Sequence, residues 1–308
     1  MANLDDPKTY LELDKSKMLS HLQHLPEQCR LAWQKALQLK IPAIYRKVNK
    51  VVVAGMGGSA IGGDLAAGLA ALDGLDLVVH RDYGLPPGVD RNTLIILASY
   101  SGETEETLSS YEAALKSPAK KLAITSGGRL KEKATAQGIP VLSIGYAAPP
   151  RAVLGFGFLG LLGILHSLGL VKDKAADMEE MLSILESQYR SLGKDVLLDN
   201  NPAKRLANQF YGRLAVTYGG GFLAAVARRW KTQFNENSKA WAFFEVLPEL
   251  NHNALVGYEF PAELGAHIFI AILRSPLLNP RIQLRFQLTG EILAQRKVPH
   301  QLLDGEGK

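Results

Sequence analysis

The sequence predicts an α/β fold: two parallel-sheet units, with helical segments before and between them. Three observations carry this expectation. Short aliphatic and β-branched runs alternate with segments of helical period, the pattern of a parallel sheet covered on both faces. The alternation comes in two blocks, separated by residues 151–198, where no strand pattern occurs. A length of 308 residues suffices for two domains, each with its own core.

In chain order, residues 1–48 read as an N-terminal helical segment. Leu11, Leu13, Met18, Leu19, Leu22 and Leu25, then Leu31, Trp33, Leu37 and Leu39, fall at helical spacing and predict two amphipathic helices broken by Pro26. The first block, 49–150, opens with the strand run Val51–Val53, a glycine-rich turn and a helix from about Ile61. Further strands are expected over 75–80, 93–100, 120–126 and 140–145, and helices over 101–116 and 129–137. Residues 151–200 read as connecting helices, the second of them charged and centred on Met178–Leu192. In the second block, 201–308, helices are expected over 203–212, 222–238 and 281–296. Strands are expected over 213–220 and 266–274, with a last edge strand in 297–303.

Ala152–Val171 carries no formal charge and is long enough to span a bilayer. Five glycines, His166 and Ser167 interrupt it, and no second such span follows. It reads as a helix buried between domains or subunits of a soluble chain, with Gly155, Gly157, Gly160 and Gly163 letting a neighbour approach closely.

Composition narrows the function. With 47% apolar and 21% charged residues the chain is of globular type, which excludes disordered and collagen-like architectures. Its net charge of +5 favours small anions such as phosphates. No block of five basic residues suggests nucleic acid as a partner. The single cysteine, Cys29, excludes an internal disulfide and a cysteine zinc cluster. The charged N-terminus lacks the pattern of a signal peptide, so a cytoplasmic location is expected.

In a doubly wound sheet, ligands bind at the carboxyl ends of the strands, where the strand order reverses. Two loops qualify. Gly55-Met56-Gly57-Gly58-Ser59-Ala60 offers backbone N–H groups to an anion at the start of a helix. Ser99, Ser101 and Thr104, directly after the next strand, offer hydroxyl donors suited to phosphate oxygens. Each loop has an alternative. The first also fits the dinucleotide fingerprint, but the acid which that site needs is displaced, the second strand ending in His80-Arg81 before Asp82. The hydroxyls also suit plain helix capping. In the second block, Asn235-Glu236-Asn237 and Glu249-Leu250-Asn251-His252-Asn253 bring a carboxylate and an imidazole of the kind used for acid/base work. No metal-ligand spacing accompanies them.

Taken together, GMGGSAIGGD, SYSGETEET and NENSKAW…PELNHN resemble the bifunctional phosphoglucose/phosphomannose isomerases of the sugar-isomerase (SIS) superfamily, across roughly residues 10 to 300. The family's pattern continues into a further helical segment with a threonine near the sugar, where this sequence ends at Asp304–Lys308. The resemblance implies two SIS-type, flavodoxin-like parallel-sheet sandwich subdomains and interconversion of glucose 6-phosphate and mannose 6-phosphate with fructose 6-phosphate. It implies that Gly57, Gly58, Ser59, Ser99, Ser101 and Thr104 hold the 6-phosphate. It further implies Glu236 as the base between C1 and C2, Arg151 beside the developing enediolate, and His252 as the group assisting ring opening from the partner subunit of a homodimer. It implies no cofactor and no metal. Two rivals remain: a non-catalytic SIS module that senses sugar phosphates, and an NAD(P)-dependent oxidoreductase.

Overall fold

The structure is a computed structural model describing residues 2–307. The chain forms two compact units. One is Ser16–Leu185; the other joins the residues up to Lys15 to those from Glu186 onward. Helix α1 (Pro7–Leu13) lies in the second of these. An ion pair explains its placement. Asp5, just before the helix, accepts the Nζ of the almost fully buried Lys204 at 2.9 Å and the Leu198 N–H at 2.9 Å. Lys204 also donates to the Lys194 carbonyl (2.8 Å), so its charge is buried with partners.

The first unit opens with α2 (Met18–Gln23) and α3 (Leu25–Gln38). The expected pair of N-terminal helices is thus three, and Pro26 begins α3 instead of breaking a helix. In a first turn its missing N–H is no loss. The sheet follows: β1 (Lys50–Gly55), α4 (Gly57–Leu72), β2 (Asp76–His80), β3 (Thr93–Ala98), α5 (Glu105–Leu115), β4 (Lys120–Thr125), α6 (Gly128–Ala136) and β5 (Val141–Ser143). All pairings are parallel, in the order β2-β1-β3-β4-β5, so the order reverses between β1 and β3. Alternate residues serve opposite faces. Val51, Val53, Leu94 and Ile96 meet Ala32, Trp33 and Ala66 of α3 and α4, while Ile95 and Leu97 meet Tyr111 and Leu130 of α5 and α6.

The apolar stretch forms a π-helical turn, Phe156–Gly160, and α7 (Leu161–Ser167). Its side chains are buried in the core of the first unit, and its glycines do admit close neighbours. A Cβ on Gly155 would meet the Cys29 backbone N at 3.0 Å, and one on Gly163 the Ala36 methyl at 2.7 Å. Among the described residues no helix is long and apolar enough to cross a membrane. α4 starts at Gly57, earlier than its glycine content suggests, because Gly62 lies directly on the backbone of Gly157 and Phe158. Packing there outweighs low helix propensity.

Helix α8 (Ala175–Leu192) leads out of the first unit. The second contains α9 (Pro202–Phe210), β6 (Leu214–Gly220), α10 (Leu223–Gln233), β7 (Ala242–Leu247), β8 (Ile268–Arg274), α11 (Pro280–Gln295) and β9 (His300–Asp304). Its sheet is parallel, in the order β7-β6-β8-β9. Tyr218, Ile270 and Ile272 pack on Phe286 and Leu293 of α11; Ala215 and Phe269 pack on Phe210 of α9. Strand β7 has no counterpart in the sequence reading. It is an edge strand with Phe243 half exposed, so it lacks the continuous apolar run of its neighbours.

Two outcomes follow. Gly62→Ala forces a methyl into the Gly157 backbone and is expected to cost ~1–3 kcal/mol in urea unfolding; a change of a few tenths would contradict the packing. Burial pushes the Cys29 thiol up to about 12. A disulfide reagent at pH 8 is therefore expected to leave the native protein unlabelled and to react only once urea has unfolded it.

Candidate active site

The turns after β1 and β3 stand side by side at the point of reversal, with Gly55 in register with Ala98. Gly57, Gly58 and Ser59 form the first turn of α4. N–H groups at a helix start have no partner one full turn back, although the Ser59 N–H here donates to the Met56 carbonyl (3.0 Å), and the helix dipole favours negative charge there. Ser59 joins the two turns, its Oγ accepting the Tyr100 N–H at 3.1 Å. Ser99 is buried; its Oγ accepts the Gly102 N–H (3.0 Å) and lies 2.8 Å from the Thr104 Oγ1. Thr104 stands at the N-cap of α5, yet its side chain caps nothing and turns to Ser99 instead. Ser101 is exposed and accepts the Glu103 N–H at 3.2 Å.

The carboxylate in this loop is engaged elsewhere. Glu103 accepts the Arg129 N–H at 2.7 Å and its Nε at 2.6 Å, bonds that hold its carboxyl below the usual range. Arg151 lies in a short helical turn, Pro150–Ala152, whose backbone abuts α4: a Cβ on Gly58 would meet the Pro150 carbonyl at 2.9 Å. An Nη of Arg151 is 3.3 Å from the Ser16 Oγ. The structure therefore gathers Gly57, Gly58, Ser59, Ser99, Ser101, Thr104 and Arg151 at one end of one sheet. At the end of β2, where a dinucleotide site needs an acid, Arg81 is paired with Asp64 of α4.

Glu236 and His252 belong to the other unit and lie apart within it. Glu236 is half-buried in a π-helical turn, Phe234–Ser238, that finishes α10. Asn235 braces this turn by donating from Nδ2 to the Ala240 carbonyl (2.9 Å). Burial pushes the guanidinium of Arg229 down to about 10, against the pull of the Glu236 carboxylate. Beside the turn, at the amino ends of β6, β7 and β8, is a cavity of about 800 Å³ lined by Phe210, Tyr211, Ser238, Trp241 and His267 among others.

His252 is exposed at the end of a short helical turn, Glu249–His252, that follows β7. Its neighbours in the turn, with partners on α11 that the sequence reading missed, pin it. Leu250 is fully buried, and Asn251 donates from Nδ2 to the Thr289 Oγ1 of α11 (2.9 Å) while accepting from Arg285 (3.2 Å). Nothing local to ELNHN announces these partners. Because Glu236 precedes the six-residue strand β7 and His252 follows it, the two sit at opposite ends of a span of ~20 Å. Among the described residues no group of three His, Cys, Asp or Glu side chains could hold a metal ion.

A family model for the bacterial phospho-glucose isomerase C-terminal SIS domain matches residues 199–308. The chain is 38% identical over 279 residues to a bifunctional phosphoglucose/phosphomannose isomerase of Caldicellulosiruptor bescii, covering 90% of this chain and 82% of that one. To the protein of the same name from Aquifex aeolicus it is 37% identical over 259 residues, covering 83% and 77%. Among solved structures, a hypothetical protein from Thermus thermophilus gives a TM-score of 0.70 at 17% identity, over 96% of this chain and 80% of that one. That likeness concerns the fold and agrees with the α/β reading. Identity of this extent places the chain in the family of bifunctional phosphoglucose/phosphomannose isomerases.

Proposed function

We propose that the protein is an aldose–ketose isomerase interconverting glucose 6-phosphate, and also mannose 6-phosphate, with fructose 6-phosphate. The observation that carries this reading is the cradle at the carboxyl ends of β1 and β3, where a glycine-lined helix start meets three hydroxyl residues. Such a site suits a phosphate dianion, and the relatives' names supply the sugar.

In this reading residues 49–150 anchor the ester through Gly57, Gly58, Ser59, Ser99, Ser101 and Thr104, and residues 201–308 supply the base and the imidazole. Binding energy from the remote phosphate positions the sugar carbons. The ring opens as His252 passes a proton to the ring oxygen and the anomeric hydroxyl gives one up. Glu236 then takes the proton from C2 of the aldose and returns it to C1. Electrons from the broken C–H bond move onto the carbonyl oxygen, giving a cis-enediolate whose charge Arg151 meets. Abstraction at C2 erases its configuration, so one site serves both aldose phosphates. Each step in this reading uses a carboxylate, an imidazole or a guanidinium of the chain itself.

The separation of Glu236 from His252 along β7 supports a homodimer in which the histidine serves the partner subunit's site. A sugar-phosphate sensor would use the cradle but gives Glu236 and His252 no task. An NAD site is disfavoured because the end of β2 holds Arg81, paired with Asp64, where the ribose-binding acid would stand.

Two experiments test the reading. In a coupled assay of fructose 6-phosphate conversion without added metal, Glu236→Gln is expected to lose ~10²–10⁴-fold in kcat while still binding an unreactive sugar phosphate; full activity would remove Glu236 as the base. Mixing Glu236→Gln subunits with His252→Ala subunits is expected to restore turnover, because one site of each hybrid dimer then holds both groups. No recovery from hybrids shown to have formed would reject the shared site.

A further inference from the structure

We propose that Tyr100 is a positioning residue for Arg151, its hydroxyl fixing the segment that carries the guanidinium to the sugar. The inference rests on the reading of Arg151 given above and adds what holds it there. Tyr100, in the loop after β3, is bonded to the loops after β1 and β4. Its N–H donates to the Ser59 Oγ (3.1 Å), and its carbonyl accepts the N–H (3.0 Å) and the Oγ (2.5 Å) of Ser126. Its ring packs, partly buried, against the core of the first unit. Its hydroxyl donates to the Tyr146 carbonyl at 2.9 Å and accepts the Ala148 N–H at 3.0 Å.

Those last two bonds reach the connection from β5 to Arg151. A phenol both donates and accepts, so one side chain satisfies the two backbone groups of the same short segment. The Tyr146 side chain is tied down in turn, its hydroxyl lying 2.8 Å from the Nδ1 of His21 on α2. Between Ala148 and Arg151 stand Pro149 and Pro150, whose rings fix φ, so a position set at Ala148 is carried to Arg151 with little slack. On the other side the Pro150 carbonyl rests against Gly58 and blocks movement toward α4. The backbone that carries the guanidinium is thus held between a hydroxyl clasp and a backbone stop. Since both hydrogen-bonding functions of the Tyr100 hydroxyl are engaged in the clasp, the residue acts through Arg151 and not on the sugar.

Tyr100→Phe tests this, because it keeps the ring and the bond to Ser59 and removes only the clasp. The expected result is a roughly 10- to 100-fold fall in kcat, the scale of a small misplacement of a catalytic group. KM for fructose 6-phosphate and inhibition by inorganic phosphate should change less than twofold, since the phosphate cradle is intact. In an Arg151→Ala background the same substitution should cost nothing further, which a general loss of stability would not produce. An unchanged kcat in Tyr100→Phe, or an equal fall in both backgrounds, would overturn the proposal. If Arg151→Ala alone retains kcat, the assignment of Arg151 fails instead, and the clasp has nothing to position. Thermal unfolding of each variant, followed by circular dichroism, confirms that folded protein is compared.

Discussion

The first unit depends on a helix that begins where a second stretch of backbone already runs. α4 meets the Pro150 carbonyl at Gly58 and the backbone of Gly157 and Phe158 at Gly62. Side chains at either position would push the helix start away from the sheet. Hydrogen bonding then builds outward from the start so placed. Ser59, one residue on from Gly58, takes the Tyr100 N–H, which draws the loop after β3 to the loop after β1. Residues that are poor helix formers thus serve packing, and the packing exposes N–H groups and hydroxyls to one small volume. The same constraint brings Arg151 beside the cradle, because its turn is the backbone that Gly58 admits.

The second unit is organised by separation. Strand β7 puts a half-buried carboxylate at one end and an exposed imidazole at the other. Each is braced by its own surroundings, Glu236 by the Asn235 bond across its turn and His252 by the Leu250 plug and the Asn251–Thr289 bond. Glu236 precedes β7 and His252 follows it, so nearness in sequence does not by itself make the two a pair in one site.

Much of this was legible in the residues, and the exceptions have physical causes. The alternation of apolar runs with helical segments marked every strand of the first sheet, because strands buried on both faces need unbroken apolar sequence. β7 escaped because Glu245 interrupts its short apolar run and, with Phe243, faces outward. The start of α4 was misjudged because glycine propensity is local while the contact with Gly157 lies far along the chain. The placement of α1 was hidden for the same reason, since Asp5 and Lys204 meet across 199 positions. In the candidate site, the glycine and hydroxyl loops were visible as composition at strand ends. The anchors were not: neither Tyr100 to Tyr146 nor Asn251 to Thr289 leaves a local pattern, and only the fold brings them together.

The most direct test of the central claim is a crystal structure of the enzyme with an unreactive sugar-acid phosphate that mimics the enediolate. Phosphate oxygens are expected within ~3 Å of the hydroxyls of Ser59, Ser99, Ser101 or Thr104 and of the N–H groups at the start of α4. A phosphate bound away from the carboxyl ends of β1 and β3, with those hydroxyls untouched, would contradict it.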